Sequence, residues 1–360
     1  MTAVAAAAED GAMNQGQQVL TNSAADSHGL PRQQHPRSTT QRKRSLPLRI
    51  GRGLMGLLGV LVVLGLSGAL YESVAEAADA RAYAPPGQMV DVGGYRLHIN
   101  CVGTGSPTVV IEAGWGDWSP AWSSVQSAAA QHTRVCTYDR AGYGFSEPGP
   151  RPRTADRYAR ELHTLLHNAG IPGPYVLAGH SMGGLTVRLF AHEYAADVAG
   201  VVLIDSMSPN SAKPSADAPS TSESSDDWIL RLPARIGLLR LVARPLGLIA
   251  TVPPEFADAY AAASVTPRYV QAYFLDEGRG MPASLAEAGR VTTFGDVPLI
   301  VLSRGLDQEP QWMADQAEML QLSSNSQQLF AARSGHNIEF DDPQAAVGAI
   351  AQMVAQVRGE

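Results

Sequence analysis

The residues best suited to chemistry lie in the segment Gly179-His180-Ser181-Met182-Gly183. This segment follows a short apolar run and precedes a helix-like run, the setting of a tight turn that pushes a serine hydroxyl out of a sheet. Side chains two positions before and after that serine would collide, and glycine occupies both positions. We therefore interpret Ser181 as a nucleophile. The N–H of Met182, at the start of the helix, is placed to donate to a developing oxyanion.

A serine hydroxyl is a weak nucleophile until a base takes its proton, and the base needs an orienting carboxylate. Among the nine histidines, His336 follows the last predicted strand and precedes the last predicted helix, so we interpret it as the base. Asp307 follows the strand predicted at 299–302 and is the favoured acid. Asp205, directly after the strand predicted at 201–204, is the alternative, because both acids follow the carboxyl ends of strands.

Short β-type runs alternate with helix-type runs from about residue 84, the pattern of a parallel sheet with crossover helices. The sequence predicts an α/β fold with a core formed by residues 84–205 and 297–360. Residues 206–296 interrupt the alternation with a polar linker and proline-broken helical pieces, and we interpret them as a linker and an inserted cap. Strands are predicted at 89–92, 95–101, 108–112, 134–138, 175–178, 201–204, 299–302 and 328–331.

The chain order Ser181, Asp307, His336, together with the glycine-flanked serine, resembles that of the α/β-hydrolases. The resemblance implies a mostly parallel sheet of about eight strands, flanking helices and a helical cap after the sixth strand. It also implies a serine hydrolase that forms an acyl-enzyme, with a carboxylic ester as the default substrate. Amide, thioester, lactone or carbon–carbon cleavage stays open, as does a non-catalytic binding module on the same fold.

Further expectations rest on the same resemblance. The loop 112–118 implies Trp115 as the second oxyanion donor, through its backbone N–H. Segment 138–146 resembles the D-x-R-G-x-G-x-S segment of the family, in which Arg140 is a framework residue that could pair with Glu112. The strands that carry Cys101 and Cys136 would be neighbours, which leaves a disulfide open beside two buried free thiols.

Composition narrows the range of partners. The net charge is -7, so nucleic acid is not an expected partner. The sequence has no metal-ligand cluster, P-loop or dinucleotide-binding glycine motif, so we expect neither a cofactor nor a metal. The expected partners are a small-molecule acyl substrate, for which a lipophilic one stays open, and a membrane.

The membrane expectation comes from the N-terminal region. Residues 1–49 are predicted to be a disordered tail by their polar composition, and residues 50–71 to be a transmembrane signal anchor. Residues 53–70 carry no charge, and basic residues precede them. The positive-inside rule then places the N-terminus in the cytoplasm and the catalytic domain outside. A cleaved signal peptide and a buried soluble helix are the alternatives.

The predicted cap contains arginines among leucines, which has two interpretations. A lid helix could pack its apolar side over the site. Alternatively, a basic amphipathic helix could contact lipid and admit lipophilic substrates. The basic residues concerned are Arg231, Arg235, Arg240 and Arg244.

Overall fold

A computed structural model describes residues 46–210, 227–249 and 252–360. Residues 1–45 of the predicted tail and residues 211–226 of the predicted linker lie outside the described residues. The chain divides into two units, residues 1–55 and 56–360. The described part of the first unit is helical and begins at Leu46, four residues before the predicted start of the anchor. The second unit contains the sheet and all the residues with predicted chemical roles.

The second unit is built on one sheet with helices on both of its faces. The sheet has eight strands in the order β1-β2-β4-β3-β5-β6-β7-β8. β2 pairs antiparallel with β1 and β4, and the remaining neighbours pair in parallel, which confirms the predicted mostly parallel sheet. The strands are β1 Gln88–Asp91, β2 Arg96–Val102, β3 Thr108–Glu112, β4 Val135–Tyr138, β5 Tyr175–His180, β6 Val198–Ile204, β7 Leu299–Arg304 and β8 Ser326–Ala331.

Helices cover both faces of the sheet because successive strand residues point to opposite sides. In β3, Val110 joins a core beneath α3 (Ala155–Asn168) and α4 (Gly183–Glu193). Its neighbours Val109 and Ile111 join a second core beneath α2 (Ser123–Ala129) and α12 (Pro343–Arg358). The remaining helices of the core are α10 (Pro310–Met319) and α11 (Ile338–Asp341).

The N-terminal helix is longer than the sequence predicted. α1 runs Leu46–Ala82, whereas the predicted anchor ended at residue 71. The extension past the apolar run is charged and includes Glu72 and Asp79. Within the described residues, this is the one helix long and apolar enough to cross a bilayer, with a mean hydropathy of 2.2 in its most apolar window.

The two cysteines lie opposite each other on neighbouring antiparallel strands. Cys101 of β2 pairs in register with Cys136 of β4, and a disulfide joins them. The possibility that the family resemblance left open is therefore realised in the structure. The bond closes a loop of 35 residues that contains β3, whose end leads into the predicted oxyanion loop.

The segment between β6 and β7 is helical where it is described. It includes a π-helical turn at Gln271–Glu277, which interrupts an otherwise continuous run of helix. Several of its large apolar side chains are exposed, in contrast to the buried helices of the core. Its helices are α5 Asp227–Arg235, α6 Leu238–Val242, α7 Pro254–Ser264, α8 Pro267–Val270 and α9 Gly278–Ala288.

Candidate active site

Ser181 lies on a tight turn between β5 and α4 that leaves no room for larger flanking residues. A Cβ on Gly179 would lie 2.8 Å from Val187 Cγ2, and a Cβ on Gly183 would lie 2.6 Å from the carbonyl oxygen of Ala113. The backbone of Ser181 has a φ of 50°, in the left-handed region that side chains rarely adopt. The steric demand inferred from the sequence is therefore met at both glycines.

The structure brings His336 against the serine. His336 Nε2 lies 2.9 Å from Ser181 Oγ, so the ring can accept the hydroxyl proton. His336 follows β8 and immediately precedes α11, and the carbonyl oxygen of His336 lies 3.0 Å from His180 Nε2. That contact ties the loop carrying His336 to the residue beside Ser181.

The acid beside His336 is Asp205, and the predicted pairing with Asp307 is wrong in this structure. Asp205 Oδ2 lies 2.6 Å from His336 Nδ1. Asp307 is exposed, on a left-handed turn after β7, and its Oδ2 approaches the backbone of Gly335 instead. The physical reason is reach: β6 is adjacent to β5, so an acid at the end of β6 already lies at the level of the serine turn.

Several donors converge on the Asp205 carboxylate. Arg304 donates from its backbone N–H and from its guanidinium, and Trp312 donates from its indole N–H at 2.9 Å. Burial opposes ionisation, but the hydrogen bonds from His336, Arg304 and Trp312 outweigh it, so the pKa of Asp205 is lowered. A carboxylate held ionised in this way keeps the N–H of His336 Nδ1 directed at it and leaves Nε2 free to accept a proton.

The predicted oxyanion loop passes directly over the serine turn. A Cβ on Gly114 would lie 3.4 Å from Ser181 Cβ, so the loop is in contact with the nucleophile. Arg140 donates to the carbonyl oxygens of Ala113 and Gly114 and forms a buried ion pair with Glu112 at 2.7 Å. The pair anticipated from the resemblance is thus present, and it fixes the loop that carries Trp115.

The cap also holds this loop in place. Glu277, at the end of the π-helical turn, is buried and lies 2.9 Å from Arg140 Nε. It accepts a hydrogen bond from Tyr143 Oη at 2.6 Å and a longer one from Gly116 N–H. The indole N–H of Trp115 donates to the carbonyl oxygen of Tyr273 in the same cap segment. Cap and oxyanion loop therefore share one network of hydrogen bonds.

A second buried cluster lies behind the serine turn. Asp117, His180 and Glu339 each place a possible metal-ligating atom within 4.8 Å of the others. Burial and the neighbouring charge of Glu339 raise the pKa of Asp117 to about 6. Burial raises the pKa of Glu339 to about 7, and it lowers the pKa of His180. Burial therefore favours the neutral form of each of these three side chains.

The geometry agrees with the comparison to known protein families. A family described as having the α/β hydrolase fold matches residues 107–245, which include the serine turn and Asp205. The chain has the α/β hydrolase fold. The resemblance inferred from the sequence is confirmed at that level.

Solved α/β hydrolase structures support the same assignment. An esterase from Thermogutta terrifontis superposes with a TM-score of 0.54 and 21% identity, covering 75% of this chain and 98% of the esterase. A putative epoxide hydrolase from Pseudomonas aeruginosa superposes with a TM-score of 0.59 and 17% identity, covering 76% of this chain and 96% of the other. At these identities the likeness establishes the fold alone.

Curated relatives match parts of this chain. YqjL of Bacillus subtilis, an uncharacterized protein, is 27% identical over 67% of this chain and 81% of its own length. The probable transporter efuK of Hormonema carpetanum is 36% identical over 32% of this chain, but the match spans only 18% of efuK. The uncharacterized vacuolar membrane protein YNL115C of Saccharomyces cerevisiae is 30% identical over 31% of this chain and 20% of its own length.

Several residues around the site were not predictable from the sequence. Arg304 and Trp312 contact Asp205, yet neither belongs to a motif. Glu277 is 137 positions after Arg140 in a segment without recognisable pattern, so only the folded chain reveals the pair. His180 had a usable signal, since it directly precedes the nucleophile inside the motif.

Proposed function

We propose that the chain is a serine hydrolase that cleaves carboxylic esters through an acyl-enzyme. The observation that carries the proposal is one line of contacts, from Asp205 to His336 Nδ1 and from His336 Nε2 to Ser181 Oγ. Each residue has the chemistry its position requires: an ionised acid, an oriented imidazole and a hydroxyl on a strained turn.

In the proposed reaction, Ser181 Oγ attacks the ester carbonyl carbon while His336 Nε2 takes the hydroxyl proton. The Asp205 carboxylate stabilises the imidazolium that forms. The backbone N–H groups of Met182 and Trp115 donate to the oxyanion, each donor contributing about 3 kcal/mol in comparable chemistry. The intermediate collapses, the C–O bond to the alcohol breaks, and His336 protonates the leaving oxygen. Water, deprotonated by the same imidazole, then releases the acid and restores Ser181.

A fluorophosphonate probe tests this mechanism directly, because it reacts only with an activated serine. Wild-type protein should be labelled at Ser181, and S181A should not be labelled. S324A, which changes an exposed serine, is the matched control and should label like wild type. Absence of label on folded wild-type protein would reject the hydrolase and favour a binding module with the same fold.

We further propose that α1 anchors the chain in a membrane with the catalytic unit outside the cytoplasm. The apolar run, the exposure of its side chains and the basic residues before it support the anchor. The disulfide supports an oxidising compartment. Full-length protein should stay in membranes in alkaline carbonate, and external protease should cut the catalytic unit in intact cells. Release by carbonate would contradict the anchor.

A further inference from the structure

The exposed apolar surface of the cap lies beside the end of the apolar run of α1. We call this surface the cap edge. Its residues project from α5, α6 and the segment that follows, and Trp228 is 55% exposed. A soluble domain seldom leaves so many large apolar side chains exposed within so short a segment. The members of the cap edge are Trp228, Ile229, Leu230, Leu232, Leu238, Leu241, Leu246 and Leu248.

We propose that the cap edge inserts into the interface of the bilayer that α1 spans. The occupant of this surface is lipid, at the leaflet where the spanning segment ends. The proposal rests on the proposed anchor, and it is independent of the chemistry at Ser181. It selects the lipid-contact interpretation of the arginine–leucine segment over that of a lid packed onto the core alone.

The first argument is contact between the cap and the apolar part of α1. A Cβ on Gly68 would lie 2.3 Å from the carbonyl oxygen of Ile236, so the two backbones touch. One turn on, Tyr71 lies against Gly237, where a Cβ would be 2.8 Å from the ring. The absence of a side chain at these glycines permits this close approach.

The second argument is depth. The uncharged run ends at Leu70, and Gly68 precedes it by about 3 Å along the helix axis at a rise of 1.5 Å per residue. A bilayer core needs about 20 residues of helix, so Gly68 lies within the membrane near its surface. Ile236, which touches Gly68, must therefore lie at the same level, and the cap edge around it is carried to the interface.

The third argument is that charged side chains fix this arrangement. Arg240 donates two hydrogen bonds to Glu72 at 2.9 Å each and pairs with Asp79 at 2.7 Å. Glu72 is only 2% exposed, so the pair is largely shielded from water. The cap is thereby attached to the first turns of α1 beyond the apolar run.

The chemistry of the remaining side chains suits lipid. Trp228 is of the residue type enriched at membrane interfaces. Arg231 and Arg235 alternate with the apolar residues and line one cavity of about 630 Å³. Their positive charges complement lipid phosphates, while the leucines reach toward the upper acyl chains. Lipid satisfies both the apolar and the basic parts of the surface, and the anchor already places lipid beside it.

Quenching of Trp228 by brominated lipid tests the proposal. Full-length protein is placed in phosphatidylcholine vesicles with or without bromine on the upper acyl chain, and W228F is measured in parallel. The difference between the two proteins gives the Trp228 emission. We expect about a twofold loss of that emission in brominated vesicles, because interfacial tryptophan lies near the upper chain. The emission of W228F in the same vesicles shows how strongly the other tryptophans are quenched.

A pair of charge variants provides an independent measurement. L241E with L246E should reduce the quenching of Trp228, whereas F330E, which alters an exposed apolar residue on β8, should leave it unchanged. Unquenched Trp228 in a carbonate-resistant protein would overturn the proposal and show that the cap stands clear of the bilayer. Carbonate release would reject the anchor on which it rests. Loss of fluorophosphonate label would reject the hydrolase alone.

Discussion

Two edges of this molecule depart from ordinary burial in opposite ways. At the carboxyl edge of the sheet, polar and charged groups such as Asp205 and Glu112 are buried and held by hydrogen bonds. At the cap edge, large apolar side chains such as Trp228 and Leu241 are exposed. Buried polar groups require fixed partners, whereas exposed apolar groups require an apolar surrounding.

The two edges therefore depend on different surroundings. The sheet edge is complete within the chain, since each member of the proposed triad contacts another member. The cap edge is complete only when something outside the protein covers it. Substitutions in the proposed triad should therefore change reaction rate, and substitutions where the cap meets α1 should change attachment and stability.

The prediction with the greatest change in kcat concerns the acid that contacts His336. D205N should lower kcat by about 10⁴-fold, because the amide mis-sets the tautomer of His336. D307N should leave kcat within a fewfold of wild type, since Asp307 is exposed and makes no hydrogen bond to His336 among the described residues. Turnover of a short-chain ester measures both variants. The reverse pattern would return the role of acid to Asp307.

The second effect tests the attachment between cap and anchor. R240Q should lower the free energy of unfolding by about 3 kcal/mol, because it leaves Glu72 buried without its partner. R244Q is the matched control: Arg244 pairs with Asp258, and its side chain is 56% exposed against 14% for Arg240. We expect a change below about 1 kcal/mol there. Denaturant unfolding of the full chain in lipid vesicles measures both, and equal effects would contradict the difference in burial.

The last prediction concerns the pH dependence of stability that Asp117 and Glu339 cause. Asp117 and Glu339 have raised pKa values of about 6 and about 7, so the folded chain holds protons that the unfolded chain releases. Stability should therefore be greatest below about pH 4, where the unfolded chain also begins to bind these protons, and it should fall as the pH rises through about 6 and about 7. The lowered pKa of Asp205 acts in the opposite direction but below this range.

Thermal unfolding across that pH range measures the slope. D117N should reduce the slope, because the asparagine side chain does not ionise, but it should not abolish it, because burial still raises the pKa of Glu339. A slope unchanged in D117N would show that other groups cause the pH dependence. A stability that rises with pH would contradict the direction of both pKa shifts.

The sequence predicted the parts of the site that local sterics impose. Ser181 needs glycines around it, and a strand must lead into that turn, so the motif and its setting can be recognised from the sequence. All eight strands were likewise predictable from apolar runs between turns. His336 could be chosen because its loop follows the last strand and precedes the last helix.

The acid could not be chosen in the same way. Asp205 and Asp307 both follow strands, and the decision depends on how the loop after β7 turns in space. Three-dimensional contacts also decide the role of Glu277, which reaches Arg140 from the cap. The sequence pattern predicts only the apolar part of α1, because charged residues follow that part. The helix continues past it, where Glu72 and Asp79 have a partner in Arg240.

The left-handed backbone conformations at the sheet edge have a wider consequence. In the described part of the chain, the non-glycine residues with positive φ are Ser181, Asp205 and Asp307, at or just beyond the ends of β5, β6 and β7. Each such residue costs on the order of 1 kcal/mol, against a total stability of about 5–15 kcal/mol for a typical domain. Backbone strain is thus concentrated at the ends of three adjacent strands, and it lowers the stability of the fold there. Substitutions that remove this backbone strain would raise the free energy of unfolding. At Ser181 and Asp205 the same substitutions would also remove side chains of the proposed triad.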